Sequence, residues 1–125
     1  MREIMTKIND RHHFLTILEN NPGKVIIKFG ATWCSPCKII EPHVNTWMNK
    51  MPDTVQCITV DIDECFDIYA FLKTKKMVNG IPAILCYNKE NVSYIPDDSV
   101  IGNDLSQVYN FFQGILDEET TIGPG

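Results

Sequence analysis

Cys34 and Cys37 are the residues of this chain best suited to chemistry, two thiols three positions apart in Trp33-Cys34-Ser35-Pro36-Cys37-Lys38. A thiolate attacks a disulfide sulfur, and a second thiol nearby can resolve the mixed disulfide that forms. The pair follows the β-branched run 25–29 and opens a stretch in which Ile39, Ile40, Val44, Trp47, Met48 and Met51 recur at helical spacing. That order puts Cys34 at a helix N-terminus, where unpaired backbone N–H groups and the positive end of the dipole favour a thiolate. Cys34 is therefore expected to be the more acidic and more accessible thiol. Cys37, one turn further on and more deeply set, is placed to resolve, and Pro36 stiffens the turn between them.

Two other readings of the spacing need weighing. Half of a zinc site would require two further ligands. Cys57, Cys65 and Cys86 supply no second pair at this spacing, His12 and His13 are adjacent, and His43 falls on the surface of the long helix. No metal or cofactor is expected. Two inert buried cysteines would also fit the spacing, but not the placement at the start of a helix. The other three cysteines sit in apolar patterns and are expected to be structural or regulatory.

The elements that must hold the pair are legible as an alternating series. Residues 4–7 can form a short edge strand. Asn9 reads as the cap of a helix with Phe14, Leu15, Ile17 and Leu18 on its apolar side, and Asn20-Asn21-Pro22-Gly23 as a turn. Pro42 interrupts the long helix and predicts a kink. Residues 55–60 form a second strand, and Asp63 caps a helix with Cys65, Ile68, Tyr69 and Leu72 on one face. Residues 83–87 and 92–95 read as a hairpin turning at 88–91. Asp104 and Gln107 have capping-box spacing, before a stripe of Leu105, Val108, Phe112, Ile115 and Leu116 widened by Tyr109. The order β-α-β-α-β-α-β-β-α predicts an α/β fold, a central mixed sheet with helices on both faces.

Size and charge bound the rest. The chain has 125 residues, enough for one core without disulfide staples. A net charge of −5 argues against binding nucleic acid through phosphates, and the cluster Lys73, Lys75, Lys76 suits a helix end. No apolar run approaches the ~20 residues that span a bilayer. The N-terminus makes a poor signal peptide, and five cysteines cannot all pair within one chain. Both points favour a reducing compartment, with the cytoplasm as the default.

Several segments, in order, resemble the thioredoxin family. Residues 29–38 with Pro42 resemble its active-site region, and Val60-Asp61-Ile62-Asp63-Glu64-Cys65 resembles a segment of animal cytosolic thioredoxins. Gly80-Ile81-Pro82-Ala83 is similar to the family's cis-proline segment, and Ile101-Gly102 to the glycine before its last helix. The resemblance covers about residues 4–116. It implies a thioredoxin domain over residues 1–116, leaving 117–125 as a flexible tail. It further implies that Cys34 attacks and Cys37 resolves, while Trp33, Ile81, Pro82 and Gly102 form a surface for a substrate's extended chain. The partners it implies are disulfide-containing proteins and a flavoprotein thioredoxin reductase using NADPH. A monomer is expected.

The sequence departs from the family pattern in places. Ser35 stands where glycine is usual, and a few extra residues lie on each side of Pro82. Lys28 replaces a buried aspartate beneath the cysteines. A buried lysine would have a lowered pKa and would itself lower that of nearby thiols. It could accept a proton from Cys37, or instead extend its ammonium to the sheet edge. A basic residue near this position also occurs in thioredoxin-like spliceosomal proteins, which bind partners without redox turnover. Those lack the complete cysteine pair. A disulfide oxidant or isomerase would require an oxidising compartment.

Overall fold

The structure, a computed structural model, describes residues 2–120. The central strand is β1 (Lys24–Gly30), whose residues are buried except at Lys28, which is half-buried. It pairs in parallel with β2 (Val55–Asp61) and antiparallel with β3 (Ala83–Asn88), and β3 pairs antiparallel with β4 (Asp98–Ile101). The sheet order is β2-β1-β3-β4. The expected N-terminal strand is reduced to one parallel bridge, Met5 with Ile58.

Strand alternation divides the core in two. Val25, Ile27 and Phe29 face α1 (Arg11–Glu19) and α3 (Phe66–Thr74), meeting Phe14, Leu18, Ile68 and Leu72. Ile26 faces α2 (Ser35–Met48) and α4 (Leu105–Thr120), among Ile40, Val44, Val108 and Phe112. Trp47 of α2 stacks on Phe112 of α4 with ring centroids 5.9 Å apart. Fully burying such side chains contributes about 1.5–3 kcal/mol each. This is the thioredoxin fold, among the described residues a four-stranded mixed sheet flanked by four helices.

Four local expectations are corrected. Asp10, not Asn9, caps α1, taking the His13 N–H at 2.8 Å, while Asn9 N–H donates to His13 Nδ1. Asp63 does not cap α3, because the Asp61 carboxylate and carbonyl take the N–H groups of the turn and the helix starts at Phe66. The face read for α3 is buried as expected, with Cys65, Ile68, Tyr69 and Leu72 all inside. Residues 92–95 are not the second strand of the hairpin. Their loop is tied by side chains: Asn91 Nδ2 donates to Ile95 O and Asp97 Oδ2, and Asn88 N–H donates to Asp97 Oδ2. Val92 and Ile95 stay exposed, and the strand forms at Asp98–Ile101. Finally, helix α4 runs to Thr120, so residues 117–120 are helical, and 121–125 lie outside the described residues. Helix α2 continues through Pro42.

The last turn of α4 returns to the beginning of β1. Lys24 Nζ lies 2.8 Å from Glu118 Oε2 and donates to Asn88 Oδ1 at 2.7 Å. Beside it, a Cβ on Gly23 would stand 2.6 Å from Thr54 O and 2.8 Å from Glu119 Oε1, so only glycine permits this approach. No helix among the described residues is long and apolar enough to cross a membrane.

Candidate active site

Strand β1 ends at Gly30, and the chain turns once before α2, with Cys34 N–H donating to Ala31 O at 3.2 Å. Cys34 is the N-cap of α2, extended at φ −89°, ψ 105°, and its Sγ accepts the Cys37 N–H at 3.2 Å. A thiol sulfur thus stands where capping oxygens usually sit, facing the unpaired donors of the first turn. Pro36 fits in that turn because its missing N–H has no intrahelical partner to lose. Cys34 and Cys37 are joined in a disulfide, with Cα atoms 5.2 Å apart. Each is 5% exposed, so in this oxidised form Cys34 is not the more open of the two. Cys37 Sγ lies over the end of β1, 3.6 Å from where a Gly30 Cβ would be.

The other residues read from the sequence fall around this loop and at the end of the sheet. Trp33 is exposed, and its Nε1–H donates to Asp63 Oδ2 at 2.8 Å, the task that occupies Asp63 in place of helix capping. The Ile81–Pro82 peptide is cis. Ile81 is half-buried against the α1–α3 core, and Pro82 is buried. Gly102 has φ +102°, a backbone that favours glycine, and its N–H donates to Pro82 O at 2.9 Å, bringing these two segments together.

Lys28 shares the face of β1 that carries Ile26, because their side chains are two positions apart. It is flanked in register by Thr59 and Ile84 and lines a cavity of about 210 Å³ together with Cys37, Glu41, Asp61 and Glu64. Burial lowers its pKa below the ordinary lysine value, and the negative charge of Glu41 partly offsets that. Glu41 was not singled out from the sequence. The signal was present, since Glu41 follows Cys37 by four residues and so lies on the same side of α2.

Cys57, Cys65 and Cys86 are unpaired and buried. Cys57 and Cys86 both stand opposite Ile26, on the strands either side of it, and desolvation pushes each thiol up to about 12. Such thiols are poor nucleophiles near neutral pH. Among the described residues no group of three or more His, Cys, Asp or Glu side chains is placed to hold a metal ion.

The Thioredoxin family profile matches residues 5–113. The chain belongs to the thioredoxin family. It is 38% identical over 64 residues to Thioredoxin-3, mitochondrial, of Saccharomyces cerevisiae, a stretch covering 51% of this chain and 49% of that protein. It is 35% identical over 71 residues to the thioredoxin of Ophiophagus hannah, covering 56% of this chain and 67% of the relative. The match thus spans about half the length of the yeast relative and two thirds of the snake one. The solved Trichomonas vaginalis thioredoxin superposes with a TM-score of 0.70 over 90% of this chain and 96% of that one, at 24% identity, which shows a shared fold. Thioredoxins are thiol–disulfide oxidoreductases, and the Cys34–Cys37 pair stands at disulfide distance for that exchange.

Proposed function

We propose that the protein is a protein-disulfide reductase that cycles Cys34 and Cys37 between dithiol and disulfide. The observation that carries this reading is the Cys34–Cys37 disulfide at the first turn of α2, with Cys34 Sγ accepting the Cys37 N–H. In the reduced protein the same donor and the helix dipole favour the Cys34 thiolate, which attacks the substrate disulfide. Cys37 then displaces the substrate thiol. Trp33, Ile81, Pro82 and Gly102 hold the substrate's extended chain, and Pro36 keeps the two thiols in register. Lys28, in the cavity behind Cys37, supplies positive charge that eases Cys37 ionisation. A thioredoxin reductase recharges the pair, and the protein acts as a monomer on disulfide-containing proteins. Three buried unpaired thiols favour a reducing compartment, for which we propose the cytoplasm.

Insulin reduction with dithiothreitol, followed by turbidity, tests this function. The wild type is expected to accelerate precipitation and Cys34→Ser to abolish the acceleration. A wild type no faster than dithiothreitol alone would leave a partner-binding module on this fold as the better description.

A further inference from the structure

The cavity behind the disulfide gathers charge from three elements onto one reacting atom. Lys28 enters it from β1, Cys37 and Glu41 from α2, Asp61 from the end of β2 and Glu64 from the turn beyond. These are the charged and titratable groups that line it, alongside the uncharged Thr6, Thr32 and Thr59. The three carboxylates are not equivalent. Asp61 Oδ1 already accepts the Asp63 N–H at 2.8 Å. Glu41 is the carboxylate whose charge bears on the Lys28 amine. It also rides on the helix that carries Cys37, four residues along, so any shift of α2 moves thiol and carboxylate together.

A second lysine stands at the other end of the same strand face. Lys24, also on the α2–α4 side of β1, is met by Glu118 of α4 at 2.8 Å. The face of β1 toward α2 and α4 thus carries two lysines, of which Lys24 is ion-paired with Glu118 and Lys28 shares its cavity with Glu41. At Lys24 the pair is structural. At Lys28 the shared cavity adjoins a reacting sulfur.

We propose that Glu41 is a positioning residue for the reaction of Cys37, its carboxylate holding the proton on Lys28 so that a positive charge faces the resolving thiol. This inference rests on the reductase reading, with Cys37 as the resolving thiol. In the resolving step the Cys37 S–H bond breaks and its proton passes to solvent. The thiolate electron pair forms the Cys34–Cys37 bond, the bond between Cys34 and the substrate sulfur breaks, and the substrate thiolate leaves and takes a proton from solvent. The dithiol loses two electrons and the substrate disulfide gains them. An ammonium near Cys37 stabilises the thiolate that this step requires. Without Glu41, the half-buried amine gives up its proton at lower pH, and the charge is lost where the thiol needs it.

The test is a residue-resolved NMR titration of the reduced, full-length protein from about pH 5 to about pH 11, following Lys28 ¹³Cε and Cys37 ¹³Cβ. In Glu41→Gln the Lys28 midpoint is expected to fall by about half a pH unit, as for a solvent-screened attraction between charges not in contact. The Cys37 midpoint should rise, and Glu41→Asp should restore part of both shifts. In a Lys28→Met background, Glu41→Gln should no longer raise the Cys37 midpoint. An unchanged Lys28 midpoint overturns the proposal, as does a Cys37 midpoint that falls, since Glu41 would then act on the thiol directly. A rise that persists in Lys28→Met overturns it too. If Lys28→Met does not fold, the two midpoints in Glu41→Gln decide the question. Failure of the reductase reading would show separately, as a wild type that does not reduce insulin.

Discussion

Lys28 is a half-buried cation on the central strand, and its burial makes a prediction of definite sign. Its pKa in the folded protein is lowered by desolvation, so between that value and the ordinary 10.5 the unfolded chain binds more protons than the folded one. Stability therefore rises with pH across that window, and the cost of the buried ammonium is fully present below it. Lys28→Met is expected to be more stable than wild type at neutral pH, with the gain shrinking toward pH 10.5, as urea unfolding at several pH values would show. The buried thiols act in the opposite direction. Cys57 and Cys86 are raised from 9.0 to about 12, and the phenol of Tyr87 is raised too, again chiefly by desolvation. Their contribution is present below about pH 9 and is lost as pH climbs toward 12. A Cys57→Ala/Cys86→Ala variant should lose less stability between pH 9 and pH 11 than wild type, although its two small cavities lower stability throughout.

At the scale of elements, what was legible in the sequence followed from periodicity, and what was not followed from side chains competing for backbone groups. The α2 and α3 faces, the central strand and the start of α4 are all where apolar spacing put them. The disulfide pair at the head of α2 was legible for the same reason. Residues 92–95 alternate like a strand, yet Asn91 accepts the Ser93 N–H and donates to Ile95 O, and the ladder forms only at Asp98–Ile101. Asp63 has the composition of a cap but spends its carboxylate on Trp33, a partner thirty positions away that no local pattern reveals. Glu41 was hidden differently. It is an exposed helix residue by sequence, and its meaning depends on the cavity that β1 and β2 build beside it. Where the cap is in place, its energetic weight can be stated. Asp104 Oδ1 accepts the N–H groups of Ser106 and Gln107 at 2.9 and 3.2 Å, and Asp104→Ala is expected to cost about 1 kcal/mol in denaturant unfolding.

For the molecule as a whole, the disulfide is an instrument of chemistry and contributes little to holding the fold. The two core layers on either side of the sheet contain neither of its cysteines, and the loop that it closes spans a sequence separation of only 3. Chain-entropy reasoning gives about 2 kcal/mol for so short a loop. Reduction is therefore expected to lower unfolding stability by no more than about that amount and to leave the far-ultraviolet circular dichroism unchanged. Phe112→Ala, which empties a fully buried site shared by α2 and α4, should cost about 3–5 kcal/mol in the same assay. The return of α4 to Lys24 and Gly23 also gives the molecule two poles. Strand β1 separates them by six residue steps, about 20 Å, with Glu118 and Glu119 gathered at one end and the disulfide beyond the other. A protein fixed to an electrode or bead through Thr120 would therefore hold its redox couple outward, toward whatever the solution brings.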